Sequence, residues 1–210
     1  MSNDLTNQKH QSLANPVRGA WKDMLTKSST QQLRRRYRPQ NNVIALLIDT
    51  SASMEGMALA EAMQGARELI QSLPGSAAVS LVSFNSMATI LTRATTDRDA
   101  LFSAIHSLSA NGSTNMTAAL ELGYEVLREF HSMAILYLVT DGYPNDAPSA
   151  LKVASCLKEL DVRIITLGTE DADHSFLAQL ASSQDEARIG TTKTLAADIA
   201  ALRYLLPSSE

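Results

Sequence analysis

Val43-Ile44-Ala45-Leu46-Leu47-Ile48-Asp49-Thr50-Ser51-Ala52-Ser53 joins an unbroken apolar run to a cluster of oxygen-bearing side chains. A run without polar alternation predicts a strand buried on both faces, as in parallel sheets covered by helices on either side. The carboxylate of Asp49 and the hydroxyls of Ser51 and Ser53 follow at alternate positions just beyond its end. Hard oxygen donors of this kind suit a divalent cation, and open α/β sheets place their sites outside the carboxyl ends of strands. One further hydroxyl and one further carboxylate would complete such a site, and the chain offers candidates for both.

Working outward, regular alternation begins at residue 42. Glu55–Leu73 keeps a helical period through Met57, Ala60, Met63, Ala66, Leu69, Ile70 and Leu73, and Pro74-Gly75 ends it. Ala77–Phe84 and Met87–Leu91 read as strands, and the two-residue link Asn85-Ser86 is of hairpin length. Helices are expected at 97–108 and 116–130, separated by the loop Asn111-Gly112-Ser113-Thr114-Asn115. Met133–Thr140 repeats the character of the first strand and ends at Asp141-Gly142. Helix 147–160, strand 162–167, helix 175–182, a short strand near 187–189 and helix 195–205 complete the pattern. Strands alternating with helices imply a mostly parallel sheet with helices on both faces.

Composition sets outer limits. The chain has 210 residues with 45% apolar content, enough for one sizeable core plus an appendage. Its polar start and the lack of a long apolar stretch speak against a signal peptide or membrane span. Cys156 is the only cysteine, so no intramolecular disulfide forms, and a reducing cytoplasm is the default. Its helical context favours a structural thiol. Residues 1–40 carry eight basic side chains against Asp4 and Asp23, a surplus of six; the chain's net −4 leaves −10 for residues 41–210. Residues 1–41 therefore read as a basic, partly disordered arm, with a short helix expected over 17–27. Only Trp21 and Tyr37 could stack on bases there, which speaks against nucleic acid.

Asp49-Thr50-Ser51-Ala52-Ser53, with Met54 and Gly56 after it, Thr114 in its Gly-Ser-Thr-Asn loop, and Thr140-Asp141-Gly142 resemble the metal-ion-dependent adhesion site of von Willebrand factor A domains. Phe84-Asn85 closing the second strand fits as well. The resemblance covers residues 42–206 and implies a Rossmann-like three-layer α/β/α fold with strand order 3-2-1-4-5-6 and a short, antiparallel third strand. It implies a metal set of Asp49, Ser51, Ser53, Thr114 and Asp141. In the family the hydroxyls matching Ser51 and Ser53 bind directly, that of Thr114 directly or through water, and the aspartates mostly through water. Mg2+ or Mn2+ is expected, because six hard oxygens suit those ions and no His or Cys contributes. Ala52 departs from the glycine common at its position, which puts loop geometry in question but no ligand.

Helices starting near Met54 and Met116 would aim positive ends at the crevice. Two aspartates formally neutralise a divalent ion, so the vacant position favours an anion, a partner's Asp or Glu. The resemblance thus implies a non-enzymatic adaptor module. Stand-alone intracellular proteins of this kind occur in bacterial tellurite-resistance-type stress operons and beside MoxR-type AAA+ ATPases, and reposition helices when the sixth ligand arrives. Two alternatives stay open: a Mg2+-dependent phosphatase or hydrolase, and a role for the basic arm as the main partner- or nucleic-acid-binding element. Against the first, Ser51 stands where an aspartyl phosphotransferase needs its second Asp, and no nucleophile elbow or P-loop is present. Taken singly, Ser53 and Thr114 could be helix caps, and Asp141 a turn residue. Glu55 and Asp146 read as solvated charges, and the four histidines lack metal-ligand spacing.

Overall fold

The computed structural model describes residues 43–130 and 134–206. The basic arm at 1–41, its expected helix, and the expected strand start at Met133 lie outside the described residues. Six strands form one sheet: β1 (Val43–Asp49), β2 (Ala78–Phe84), β3 (Ala88–Thr95), β4 (Ala134–Thr140), β5 (Arg163–Gly168) and β6 (Ala187–Ile189), in the order β3-β2-β1-β4-β5-β6. All neighbours are parallel except β2 and β3. The helices are α1 (Met57–Ser72), α2 (Arg98–His106), α3 (Met116–Leu127), α4 (Ala147–Glu159), α5 (His174–Leu180) and α6 (Leu195–Ala201). This is the three-layer α/β/α arrangement and strand order expected from the sequence.

The apolar runs are buried for the reason their composition suggests. Every residue of β1 and of β4 is buried, because helices cover both faces of the central strands. Ile44, Leu46 and Ile48 join Leu81, Ile135, Tyr137, Val139 and Leu167 in a core shared with α1, α2 and α6. Leu47 and Leu136 point the other way; a Cβ at Gly123 of α3 would stand 3.1 and 2.8 Å from their methyls, so α3 lies close on that face. On the first face α1 approaches α6 equally closely: a Cβ at Gly65 would meet the backbone oxygen of Ala196 at 2.7 Å. Close helix packing of this kind needs a residue without a side chain.

Several boundaries differ from expectation, α3 for instance ending at Leu127 rather than at 130. The first helix begins at Met57, not Glu55. A 3-10 turn, Ala52–Met54, and Gly56 at φ +88° precede it, so the apolar periodicity shared by Met54 and Met57 hides a break. Strand β3 runs on to Thr95 rather than ending at Leu91, and with eight residues is not short. Register shifts against β2 accommodate its polar half, where Thr92 Oγ1 accepts from the Leu81 N–H at 3.2 Å. The last helix gives way at Leu202 to a 3-10 turn ending at Leu205. Cys156 is half-buried on α4.

Candidate metal centre

β1 and β4 are adjacent, and the chain leaves them toward opposite neighbours, so their carboxyl ends flank the crevice where such sheets bind ligands. Asp49 ends β1 and is fully buried. Its Oδ1 accepts from the Ser51 N–H at 2.8 Å, and its Oδ2 accepts from Thr140 Oγ1 at 2.5 Å. The 3-10 turn then carries the two serines around. Ser51 Oγ lies 3.1 Å from Ser53 Oγ, which donates to Asp141 Oδ1 at 2.9 Å. Residues from opposite sides of the strand-order reversal thus form one chain of oxygens. Burial pushes the Asp49 carboxyl up from 3.8 to about 6, against the pull of the Thr140 and Ser51 hydrogen bonds. Burial likewise raises Asp141, and the Asp171 charge adds to it.

Thr114 reaches the crevice on a loop pinned from three sides. Ala52 N–H donates to Gly112 O at 3.0 Å, and Asn111 N–H donates to Thr50 O at 2.8 Å, stitching this loop to the end of β1. Gly112 has φ +72°, and a Cβ there would stand 2.6 Å from Ser86 Oγ, so only glycine fits the approach of the β2–β3 turn. Asn145, after β4, accepts from the Thr114 N–H with Oδ1 at 3.1 Å and donates its own N–H to Thr114 O at 2.9 Å. Thr114 itself is buried.

Whether these groups fit a hard cation can be asked of Gly142. A Cβ at that position would stand 3.6 Å from Ser53 Oγ and 3.7 Å from Thr114 Oγ1. Glycine therefore leaves open a space that both hydroxyls line. Two carboxylates raised by burial border it, and neither has a cationic partner among the described residues. An all-oxygen set of hydroxyls and two carboxylates is the chemistry that Mg2+ and its relatives accept. The residues fit.

All five residues named from sequence lie at this crevice, and the cap readings of two of them do not hold. Gly56 occupies the cap of α1, and Asn115 Oδ1, not Thr114, accepts from the Ala118 N–H at the start of α3. Ala52 is exposed and has no positive φ, so its methyl disturbs nothing. Asp146 is more than a solvated charge: it caps α4, accepting from Ser149 N and Oγ, and those bonds lower its pKa. The sequence reading gave no role to Thr140 or Asn145. Thr140 was detectable, since the pairing of Ile48 with Val139 brings the next residues, Asp49 and Thr140, side by side. Asn145 carried no local signal.

A model of the von Willebrand factor type A domain matches residues 44–203. Among solved structures, a von Willebrand factor type A protein from Catenulispora acidiphila superposes with TM-score 0.70 at 21% identity, over 78% of this chain and 42% of that one. Manganese-loaded TRAP protein of Plasmodium vivax gives TM-score 0.64 at 25% identity, over 75% and 71%. A mussel byssus protein, proximal thread matrix protein 1, with a zinc-occupied MIDAS motif, gives TM-score 0.64 at 20% identity, over 78% and 46%. This chain therefore spans less than half of the Catenulispora and mussel chains. No curated protein matches. Among the described residues no helix is long and apolar enough to cross a membrane.

Proposed function

The chain belongs to the von Willebrand factor type A domain family, and from that premise we propose that its crevice holds a divalent cation and through it captures an acidic side chain of a protein partner. One observation carries this reading. Ser51, Ser53 and Asp141 form a chain of hydrogen-bonded oxygens anchored to Asp49 through the Ser51 N–H, and the hydroxyls of Ser53 and Thr114 line one open space beside it. These five residues would hold the ion, and bound there it supplies a Lewis-acidic position that a carboxylate oxygen can complete. The chain's own residues do the rest. Thr140 and the Ser51 N–H orient Asp49, and Asn145 fixes the Thr114 loop.

Mg2+ or Mn2+ is the proposed ion, given an oxygen-only donor set. The zinc-occupied site of the mussel protein makes Zn2+ a necessary competitor in the test. Among the described residues, the hydroxyls and carboxylates placed at the crevice are the ones assigned to the ion, which supports a binding module over an enzyme. We assign the domain to residues 42–206, preceded by the basic arm. The setting proposed is a bacterial cytoplasmic complex, stress-operon or AAA+-associated, with this domain as adaptor. Calorimetry with Mg2+, Mn2+ and Zn2+, then co-purification from native cells in Mg2+ and in EDTA, tests it. Asp49→Ala should lose both ion and partner while staying folded. A variant that retained the same partners in excess EDTA would remove the idea.

A further inference from the structure

Six large apolar side chains are exposed among the described residues: Met57, Met87, Phe130, Tyr143, Ile189 and Tyr204. Three of them lie on, or directly follow, the loops that build the crevice. Met57, 60% exposed, follows the serine-bearing turn and Gly56. Met87, 72% exposed, sits on the β2–β3 turn, where Asn85 Nδ2 donates to Asn111 Oδ1 and Ser86 Oγ contacts Ser113 Oγ. Tyr143, 64% exposed, lies between Asp141 and Asn145. The other three are elsewhere: Phe130 after α3 at the opposite end of the sheet, Ile189 on the far edge strand, and Tyr204 in the C-terminal 3-10 turn.

An exposed Met or Tyr on a loose tip would lose rotamer and loop freedom on binding. Met87 and Tyr143 instead stand on backbone tied to the Thr114 loop: Asn115 N–H donates to Asn85 O at 2.7 Å, Asn85 N–H donates to Met87 O at 2.8 Å, and Asn145 brackets Thr114 on both sides. Met and Tyr are also the residue types that interfaces favour, Met for its adaptability and Tyr for its large, stiff surface. Charge narrows the partner further. Glu55 and Asp171 are exposed on loops that meet at the crevice, and the Asp171 charge is felt at Asp141. A second acidic residue on the partner would meet like charge there.

Resting on the carboxylate-capturing reading above, we propose that Met57, Met87 and Tyr143 form an apolar rim that selects the partner's sequence around its acid. The occupant is a single Asp or Glu flanked on both sides by apolar side chains, with no further acidic neighbour. The ion supplies the attraction for the carboxylate, and the rim supplies the discrimination among carboxylates.

The test is selection on the immobilised full chain from two peptide libraries, one with a fixed central Glu and one with a fixed central Gln, all flanking positions randomised. In Mg2+ the Glu library should enrich apolar flanks and deplete Asp and Glu, with no enrichment in EDTA or from the Gln library. Met57→Ser, Met87→Ser and Tyr143→Ser combined should weaken the selected peptide about tenfold or more, a typical loss for interface anchors. Mg2+ affinity and the thermal midpoint should not change. Mg2+-dependent enrichment of central Glu without flank preference, or no enrichment in any arm, overturns the rim. Equal enrichment from the Gln library, or in EDTA, overturns the carboxylate reading itself.

Discussion

Asp49→Asn should make the metal-free protein more stable and the metal-loaded protein relatively less so. The Asp49 carboxylate is fully buried, and burial lifts its pKa from 3.8 to about 6. A raised carboxyl pKa means that the native state binds the proton more tightly than the unfolded chain does. Stability without metal therefore falls as pH rises from about 4 to about 6 and stays low above that. At about 1.4 kcal/mol per pKa unit, the charge costs on the order of 3 kcal/mol at pH 7.5. Asparagine keeps the shape, accepts the Ser51 N–H through Oδ1, and can turn its amide N–H toward Thr140 Oγ1, reversing that one bond. Removing the Asp49 charge also relieves its repulsion with Asp141.

In EDTA at pH 7.5 the variant should thus melt about 6–12 °C above the parent, for a domain of this size. Toward pH 3.5 and below the two should converge, because Asp49 is then neutral in the folded state and mostly neutral in the unfolded chain. Mg2+ at a hundredfold excess over its Kd should stabilise the parent by about 2.7 kcal/mol and the variant not at all. Thermal melts in EDTA and in Mg2+ at two pH values read all of this. The reasoning fails if the variant melts below the parent in EDTA at pH 7.5, if its advantage persists at pH 3.5, or if Mg2+ stabilises both equally.

The remaining expectations follow from single contacts. Thr140→Val removes the donor to Asp49 Oδ2 and the acceptor of the Gly142 N–H; calorimetry should show Mg2+ affinity reduced about 10–100-fold although Thr140 is not a ligand. Gly142→Ala places its methyl at ordinary contact distance from Ser53 and Thr114 and has no positive φ to strain, so its melt in EDTA should match the parent while Mg2+ binding weakens by tenfold or more. Ion affinity should rise with pH up to about 6 and level off above it, because protons compete for Asp49 below its raised pKa; a flat profile between pH 5 and 7 would contradict the assignment. Gly65→Ala drives a methyl into the Ala196 backbone on α6, and chemical denaturation should show a loss of about 1–3 kcal/mol with Mg2+ affinity intact.

Much of this was legible from the sequence because burial and chirality leave few solutions. Val43–Ile48 and the apolar run ending at Thr140 read as central strands, and the hairpin-length link after Phe84 marked the one antiparallel pair, although it is one residue longer than expected because β3 starts at Ala88. The five candidate ligands were readable because they lie at or just beyond the ends of β1 and β4 or just before α3. What escaped was geometry that local pattern does not encode. The 3-10 turn at Ala52–Met54 shares its apolar period with the helix that follows, so only Gly56 hinted at the break. The polar half of β3 is held by bulged pairing with β2 rather than by its own hydrophobicity. Asn145 acts on Thr114 across 31 residues, and no spacing rule predicts such a bond.

Two of these misses, the 3-10 turn and Asn145, share a cause that bears on how the site works. Both lie where three loops, after β1, before α3 and after β4, must agree on one set of positions. Thr140 fixes Asp49, Asn145 fixes Thr114, and Ser53 reaches across to Asp141. None of these bonds is local, so each is made only if the whole crevice edge is assembled. Asp49, a buried carboxylate whose pKa burial raises, sits at the centre of that assembly. On the proposed reading the fold holds buried carboxylates and hydroxyls in register by long-range bonds and leaves the relief of their charge to a cation. On this view the ion's affinity depends on the packing that keeps the loops together as well as on its ligands. Variants such as Thr140→Val, which alter no ligand, are the sharpest probe of that dependence.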